Sequence, residues 1–138
     1  MTRAFIDAGV LIAAACGLPE IAERAMRVLD DSDRTFVTSD FVRLEVLPKP
    51  SFQGYHDQVE FYEEFFANAR KIAISKSLLQ EALREGCQFG LSACDAMHAA
   101  AAQQGKCGEL VTTEKTCKPL FRLSGIRVIS LREPSKAP

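Results

Sequence analysis

Four acidic residues of this sequence combine a chemically useful side chain with an apolar setting. Asp7 directly follows a short apolar run, Glu45 and Asp95 lie within apolar segments, and Glu114 comes just past the segment 109–112. Carboxylates that meet without cations repel one another, and a divalent ion removes that repulsion. Ligation by oxygen alone favours Mg²⁺ or Mn²⁺ over Zn²⁺. Such a group could hold one or two ions that activate a water and stabilise the leaving oxygen of a phosphodiester.

Each acid taken singly also has a structural interpretation, and for a single acid that interpretation is the commoner one. Asp7 could cap the following helix, Glu45 could lie on an exposed stripe, and Glu114 could be a surface loop residue. The segment Ser92-x-x-Asp95 fits a capping box, in which the acid reaches back to the backbone N–H of Ser92. The joint placement of the four acids is what favours a metal site.

Apolar strand-like runs alternate with helical patterns along the chain, which predicts an α/β fold with a parallel sheet and helices on both faces. The pattern makes 8–9 a turn, 48–50 a stiff connection, and the helix over 76–89 interrupted near Gly86. The predicted strands are 4–6, 35–38, 71–75, 109–112 and 126–131, and the predicted helices are 10–16, 20–30, 40–47, 56–69, 76–89, 92–104 and 116–123.

The expected sheet places the acids together. Ligands of open parallel sheets bind beyond the carboxyl ends of the strands, at the point where strand order reverses. If the first strand lies beside the fourth, Asp7 and Glu114 face each other across that point. The helices that carry Glu45 and Asp95 begin at the same edge of the sheet.

Composition indicates one globular domain over residues 1–132, with a flexible polar tail over 133–138. The net charge of −1 excludes a strongly basic chain. No apolar run reaches the ~18 residues that span a bilayer, and the N-terminus does not fit a signal peptide. The five cysteines lack C-x-x-C spacing, so we interpret them as reduced thiols in a cytoplasmic protein, mostly packed in the core.

Four segments together resemble the PIN-domain family and, within it, the VapC-type toxins of bacterial toxin–antitoxin pairs. The most specific contains Asp95-Ala96-Met97-His98-Ala99-Ala100, which matches the family's D-A-x-H-A-A pattern. Two features depart from the family. Ala8 and Gly9 stand where a small hydroxyl residue and Asn are usual, which removes polar support for a metal or its waters, and Glu114 replaces Asp. The matching segments are 5–12, 39–47, 91–100 and 110–114.

The resemblance implies a three-layer α/β/α fold and a Mg²⁺-dependent endoribonuclease that cuts structured RNA such as tRNA or rRNA. It implies Asp7, Glu45, Asp95 and Glu114 as catalytic residues and ligands of Mg²⁺ or Mn²⁺. It also implies homodimerisation and inhibition by a small antitoxin protein. The alternative is a catalytically silent PIN-like domain that binds RNA or a protein partner, an interpretation favoured by Gly9 and Glu114.

Other features leave two interpretations open. His98 could be a metal ligand or general base, but a satisfied structural histidine is commoner, since the proposed ions prefer oxygen. Thr112 is either a hydroxyl that supports the metal site or an ordinary strand-end residue. Six aromatics over 52–66 form either core or a groove for a partner's helix. Six basic residues over 115–138 form either a phosphate-binding end or a solvated face.

Overall fold

A computed structural model describes residues 1–132; the tail predicted over 133–138 lies outside the described residues. Within them, five strands form one parallel sheet: β1 (Thr2–Ile6), β2 (Arg34–Ser39), β3 (Arg70–Ile72), β4 (Glu109–Thr112) and β5 (Arg127–Ser130). The strand order is β3-β2-β1-β4-β5. The five predicted strands are therefore all present.

Helices cover both faces of this sheet, so the predicted α/β class and three-layer arrangement are confirmed. The first helix packs on the second and on the helix after β2, whereas the last helix packs on the one before it and lies against β1, β2 and β4. The helices are α1 (Ala8–Cys16), α2 (Pro19–Leu29), α3 (Asp40–Val46), α4 (Pro48–Gln53), α5 (His56–Asn68), α6 (Lys76–Phe89) and α7 (Ala93–Gln104), with a 3₁₀ helix at Pro119–Arg122.

Strand order reverses beside β1, which pairs with β2 on one side and β4 on the other. Ala4, Phe5 and Ile6 are each 0% exposed, because a parallel strand under two helical layers has no solvent face. The chain moves from β1 outward to β3 and then crosses back to β4. The predicted neighbourhood of the first and fourth strands is confirmed. The residues that follow these two strands therefore lie at one edge of the sheet, where ligands of open parallel sheets bind.

Serine side chains begin three of the helices. Ser39, Ser75 and Ser92 accept hydrogen bonds from Val42, Leu78 and Asp95 backbone N–H groups, at 3.4, 3.0 and 3.3 Å. These bonds satisfy amides that have no partner within the helix. At the other end of α6, Gly90 adopts a left-handed conformation with φ of 68°, which glycine readily takes where a helix ends.

Two predicted connections are wrong because the chain enters helix directly there. Ala8 and Gly9 are the first residues of α1, since the extended Asp7 already makes the change of direction. Residues 48–50 begin α4, because proline fits the first turn of a helix, where its missing N–H is not needed.

Two other details differ through tertiary packing. The third strand ends at Ile72 and not at residue 75 as predicted, and Ile74, which the predicted strand included, is 45% exposed. Gly86 does not interrupt α6; it lies against α7, where an added Cβ would come within 3.5 Å of Ala96 Cβ.

The cysteines are free thiols, but the prediction that most lie in the core is wrong. Cys107 is buried, and burial raises the pKa of its thiol to about 11. The exposed ones are Cys16, Cys87, Cys94 and Cys117. Among residues 1–132, none of the helices is both long and apolar enough to cross a membrane.

Candidate active site

Asp7 lies where β1 ends, 9% exposed. Its backbone N–H donates to the Val111 carbonyl of β4 at 3.1 Å, which continues the pairing of the two strands. Its carboxylate Oδ2 accepts a hydrogen bond from the Thr112 hydroxyl at 2.7 Å. The carboxylate does not cap α1, so the structural interpretation of this acid does not hold. The hydrogen bond from Thr112 instead fixes the orientation of the Asp7 carboxylate.

Glu45 extends from α3 to the same place. Its Oε1 lies 2.7 Å from His98 Nε2, and the same nitrogen lies 3.6 Å from Asp7 Oδ1. His98 is 2% exposed and is flanked by the rings of Phe5 and Phe41. Nε2 lies within hydrogen-bond distance of Glu45 Oε1, whereas Nδ1 is buried without a partner among the described residues. Burial lowers the pKa of His98, but the surrounding carboxylates outweigh burial and raise it.

Asp95 lies in the first turn of α7, and the Ser92 hydroxyl accepts its backbone N–H. The serine half of the predicted capping box is therefore formed. Burial raises the pKa of the Asp95 carboxyl, as do the charges of Asp7 and Glu45, while His98 and Ser92 lower it. The net shift is upward, as expected for carboxylates held close together.

Glu114 follows β4 on a loop that is tied down at two points. Its N–H donates to the Thr112 hydroxyl at 3.1 Å, and its carbonyl accepts the Ser130 hydroxyl. Its carboxylate Oε2 is buried without a hydrogen-bond partner in the described part of the chain. Burial raises the pKa of this carboxyl, and Asp95 and Asp7 raise it further, against the opposing charge of Lys118.

The profile of the PIN domain family matches residues 4–118, which is more than half of the chain. The chain belongs to the PIN domain family. The resemblance inferred from the sequence is thereby confirmed. No curated protein matches the sequence.

Solved structures share this PIN-domain fold at low sequence identity. A toxin–antitoxin complex from Klebsiella pneumoniae is 22% identical with a TM-score of 0.70, over 93% of this chain and 97% of that one. VapBC2 from Rickettsia felis, bound to a promoter DNA fragment, is 16% identical with a TM-score of 0.69, over 93% and 98%. VapC20 from Mycobacterium tuberculosis, a sarcin–ricin loop cleaving toxin, is 16% identical with a TM-score of 0.63, over 78% and 86%. At such identities the likeness shows the fold alone.

The acids of this PIN domain have donor atoms that suit a divalent ion, although their side chains are not arranged around one. No three His, Cys, Asp or Glu side chains within residues 1–132 already stand where they could hold one ion together. The donors are nevertheless all oxygen, their charges oppose one another, and Glu114 Oε2 is buried without a partner. An ion would offset each of these costs by drawing the carboxylates inward.

His98 and Thr112, for which the sequence leaves two interpretations open, both contact the acids. His98 is buried, as a structural histidine would be, and its Nε2 also contacts Glu45 and lies near Asp7. Thr112, fully buried, contacts both Asp7 and the Glu114 backbone. Pairing these residues needed the sheet register, because more than a hundred positions separate Asp7 from Thr112.

Sequence patterns missed three residues beside the acids. Exposed Lys49 lines the same cleft as Glu45. Cys94 has a raised pKa, first through burial and then through the charges of Glu45, Asp95 and Asp7. Thr113 packs against Gly9. A lysine, a cysteine and a threonine in ordinary local sequence carry no signal of such a neighbourhood.

For the aromatics over 52–66 and for the basic residues over 115–138, each of the two interpretations holds for some of the residues. Of the six aromatics, Tyr62 and Phe66 are core residues, and Phe61 and Phe65 pack partly against the core, while two remain exposed. These are Phe52 at 93% and Tyr55 at 54%. In the basic stretch, Arg122 and Arg132 donate to the backbone carbonyls of Phe89 and Thr113, so part of that stretch has a structural role.

Proposed function

We propose that this PIN domain is a metal-dependent endoribonuclease that acts as the toxin of a toxin–antitoxin pair. One observation carries the proposal: four carboxylates approach one another at the carboxyl ends of β1 and β4, where ligands of such sheets bind. The proposed catalytic residues and metal ligands are Asp7, Glu45, Asp95 and Glu114.

The proposed ion is Mg²⁺ or Mn²⁺, because every proposed ligand offers oxygen. When bound, such an ion supplies positive charge that stabilises charge developing on a phosphodiester and favours loss of a proton from the attacking water. The same charge favours the ionised forms of Asp95 and Glu114, whose pKa values are raised without it.

The chain's own residues orient the acids before substrate arrives. Thr112 occupies Asp7 Oδ2, so that Oδ1 is directed toward His98. His98 holds the Glu45 carboxylate beside Asp7 across the crevice. Thr112 also holds the backbone of Glu114. These contacts reduce the reorganisation needed on binding, which is where positioning contributes to rate.

Two lysines beside the acids suit a polyanionic substrate. Lys49 lines the cleft on the Glu45 side, and Lys118 lies close enough to Glu114 to lower its pKa. Lysines can pair with backbone phosphates next to the cleaved bond and compensate the repulsion that RNA would meet from the acids. The proposed substrate is structured RNA such as tRNA or rRNA, in the cytoplasm.

The proposed partners are a small antitoxin protein and a second copy of this chain. Structures similar to this one include complexes of toxins with antitoxins. Exposed apolar side chains supply surface for a contact between copies: Leu79 is 54% and Leu83 69% exposed on α6, beside Ile74 at 45%.

The test is cleavage of a pooled tRNA and rRNA preparation by protein freed of antitoxin. We expect discrete fragments with Mg²⁺ or Mn²⁺, and none with EDTA or with Asp95→Asn. Asp33→Asn is the matched control, because Asp33 is exposed at the opposite end of the sheet, just before β2. It should cleave as wild type does.

Equal cleavage by wild type and Asp95→Asn would refute the site. RNA or protein binding by folded wild type, without cleavage at any metal concentration, would favour the catalytically silent alternative. Three observations support that alternative: Gly9, Glu114, and the absence among residues 1–132 of three side chains already placed to hold one ion.

A further inference from the structure

The backbone conformation of Gly9 does not require a glycine. It is the second residue of α1, and the glycines with positive φ are Gly54, Gly90 and Gly125. Alanine at an ordinary helical position is normally more favourable than glycine. The reason for glycine here is therefore one of space.

The space beside Gly9 is taken by Thr113. A Cβ added at residue 9 would overlap the Thr113 hydroxyl oxygen, while the Thr113 Cβ would stay at an ordinary 3.5 Å. The collision therefore concerns the hydroxyl and not the rest of the side chain. The Thr113 hydroxyl lies directly against the bare backbone of the first turn of α1.

Thr113 also lies between two residues of the candidate site, Thr112 and Glu114. Thr112 before it holds Asp7 and the Glu114 N–H, and Glu114 follows it. The Thr113 carbonyl accepts a hydrogen bond from Arg132 Nε at 2.6 Å, so its backbone is held from the outer side. Its side chain bridges the Glu114 loop to the helix that Asp7 begins.

We propose that Gly9 and Thr113 form a matched pair, in which Thr113 is a positioning residue whose hydroxyl sets the Glu114 loop against α1 beside Asp7. The pair determines how closely the two carboxylates can approach a divalent ion, and this part of the inference rests on the proposed function. It also accounts for Gly9 without any loss of the site, since the Thr113 hydroxyl, from the loop that follows β4, occupies the space beside Gly9.

The pairing predicts the sign of the change in Tm that Gly9→Ala causes, and this prediction does not depend on a metal ion. Thermal unfolding in EDTA is measured for wild type, Gly9→Ala, Thr113→Ala and the double variant. We expect Gly9→Ala to lower Tm in the wild-type background, because of the overlap, and to raise Tm in the Thr113→Ala background, because alanine then shows its ordinary helical preference. Should Gly9→Ala fail to fold, recovery of folding in the double variant gives the same answer.

The positioning role is tested by Mn²⁺ affinity, measured by electron paramagnetic resonance. Thr113→Val keeps the shape and removes the hydroxyl, and we expect Kd to rise by about tenfold. Thr113→Ser keeps the hydroxyl and should stay within about twofold of wild type. Thr35→Val makes the same change at an exposed position of β2 and should leave Kd unaltered.

The outcomes separate this inference from the proposed function. A Gly9→Ala effect of the same sign in both backgrounds overturns the pairing, whatever the protein binds. Wild-type Mn²⁺ affinity in Thr113→Val overturns the positioning role while leaving the nuclease intact. Absence of Mn²⁺ binding by wild type overturns the metal site and the positioning role together, while the unfolding cycle still decides the pairing.

Discussion

Asp95 lies beside Asp7 and Glu45, and burial together with their negative charges raises the pKa of its carboxyl. A carboxyl whose pKa is higher in the folded state stabilises the fold below its unfolded pKa, and this contribution is lost as the pH rises through the folded value. At neutral pH the ionised Asp95 therefore opposes folding of the metal-free protein. The same repulsion is what a bound cation would relieve.

Removing that charge should stabilise the metal-free protein. We expect Asp95→Asn in EDTA to raise Tm by roughly 3–5 °C at about pH 8, and the gain to shrink as the pH falls and the wild-type carboxyl takes up a proton. Added Mg²⁺ should raise the Tm of wild type but not of the variant. A lower Tm for Asp95→Asn in EDTA at the higher pH would contradict this electrostatic account.

Thr112 supports two proposed ligands with one buried hydroxyl. Thr112→Val keeps the shape and leaves the Asp7 carboxylate and the Glu114 N–H without their partner. We expect a stability loss of roughly 1–3 kcal/mol and a fall in cleavage rate of about 10- to 100-fold, measured by chemical denaturation and single-turnover kinetics. Thr112→Ser should recover most of both, and equal losses in the two variants would mean that the methyl group, not the hydroxyl, matters.

At the scale of elements, α6 and α7 both begin with a serine cap, but only α7 belongs to the candidate site. Ser92 and Ser75 each accept an N–H of the residue three positions on, but only α7 carries a proposed ligand there. Replacement of either cap by alanine should cost about 1 kcal/mol. The two helices thus offer a matched pair for separating helix stability from site geometry.

We expect Ser92→Ala to lower both Tm and RNA cleavage, and Ser75→Ala to lower Tm alone. The physical reason is that Ser92 Oγ holds the backbone N–H of Asp95 itself. Thermal unfolding and initial cleavage rates in saturating Mg²⁺ measure the two effects. Similar activity in both variants would show that the cap does not orient Asp95.

At the scale of the molecule, the exposed apolar side chains of α6 are the proposed contact between two copies of the chain. Leu83 is 69% exposed, and we expect Leu83→Glu to convert a dimer into a monomer, since a buried unpaired charge at an interface is costly. Leu18→Glu, at a residue 74% exposed on the turn before α2, is the control and should leave the mass unaltered. Light scattering after gel filtration gives the mass, and a dimeric Leu83→Glu would place the contact elsewhere.

Most of the fold follows from the sequence because its signals are local. Apolar runs of strand length and Ser92 before α7 depend on a few neighbouring residues. The errors occur where packing overrides such signals: Gly86 stays helical against Ala96, and Ile74 is exposed because β3 has already ended.

The four acids and the family could be proposed from the sequence by itself, because residues that follow parallel strands meet at one edge once the strand order is guessed. Tertiary structure alone decided what surrounds them. His98 against Glu45, Thr112 against Asp7, and Thr113 against Gly9 are contacts between distant segments. Such contacts depend on register and side-chain direction across the sheet, which no local pattern encodes, so only the folded chain reveals which residues support the acids.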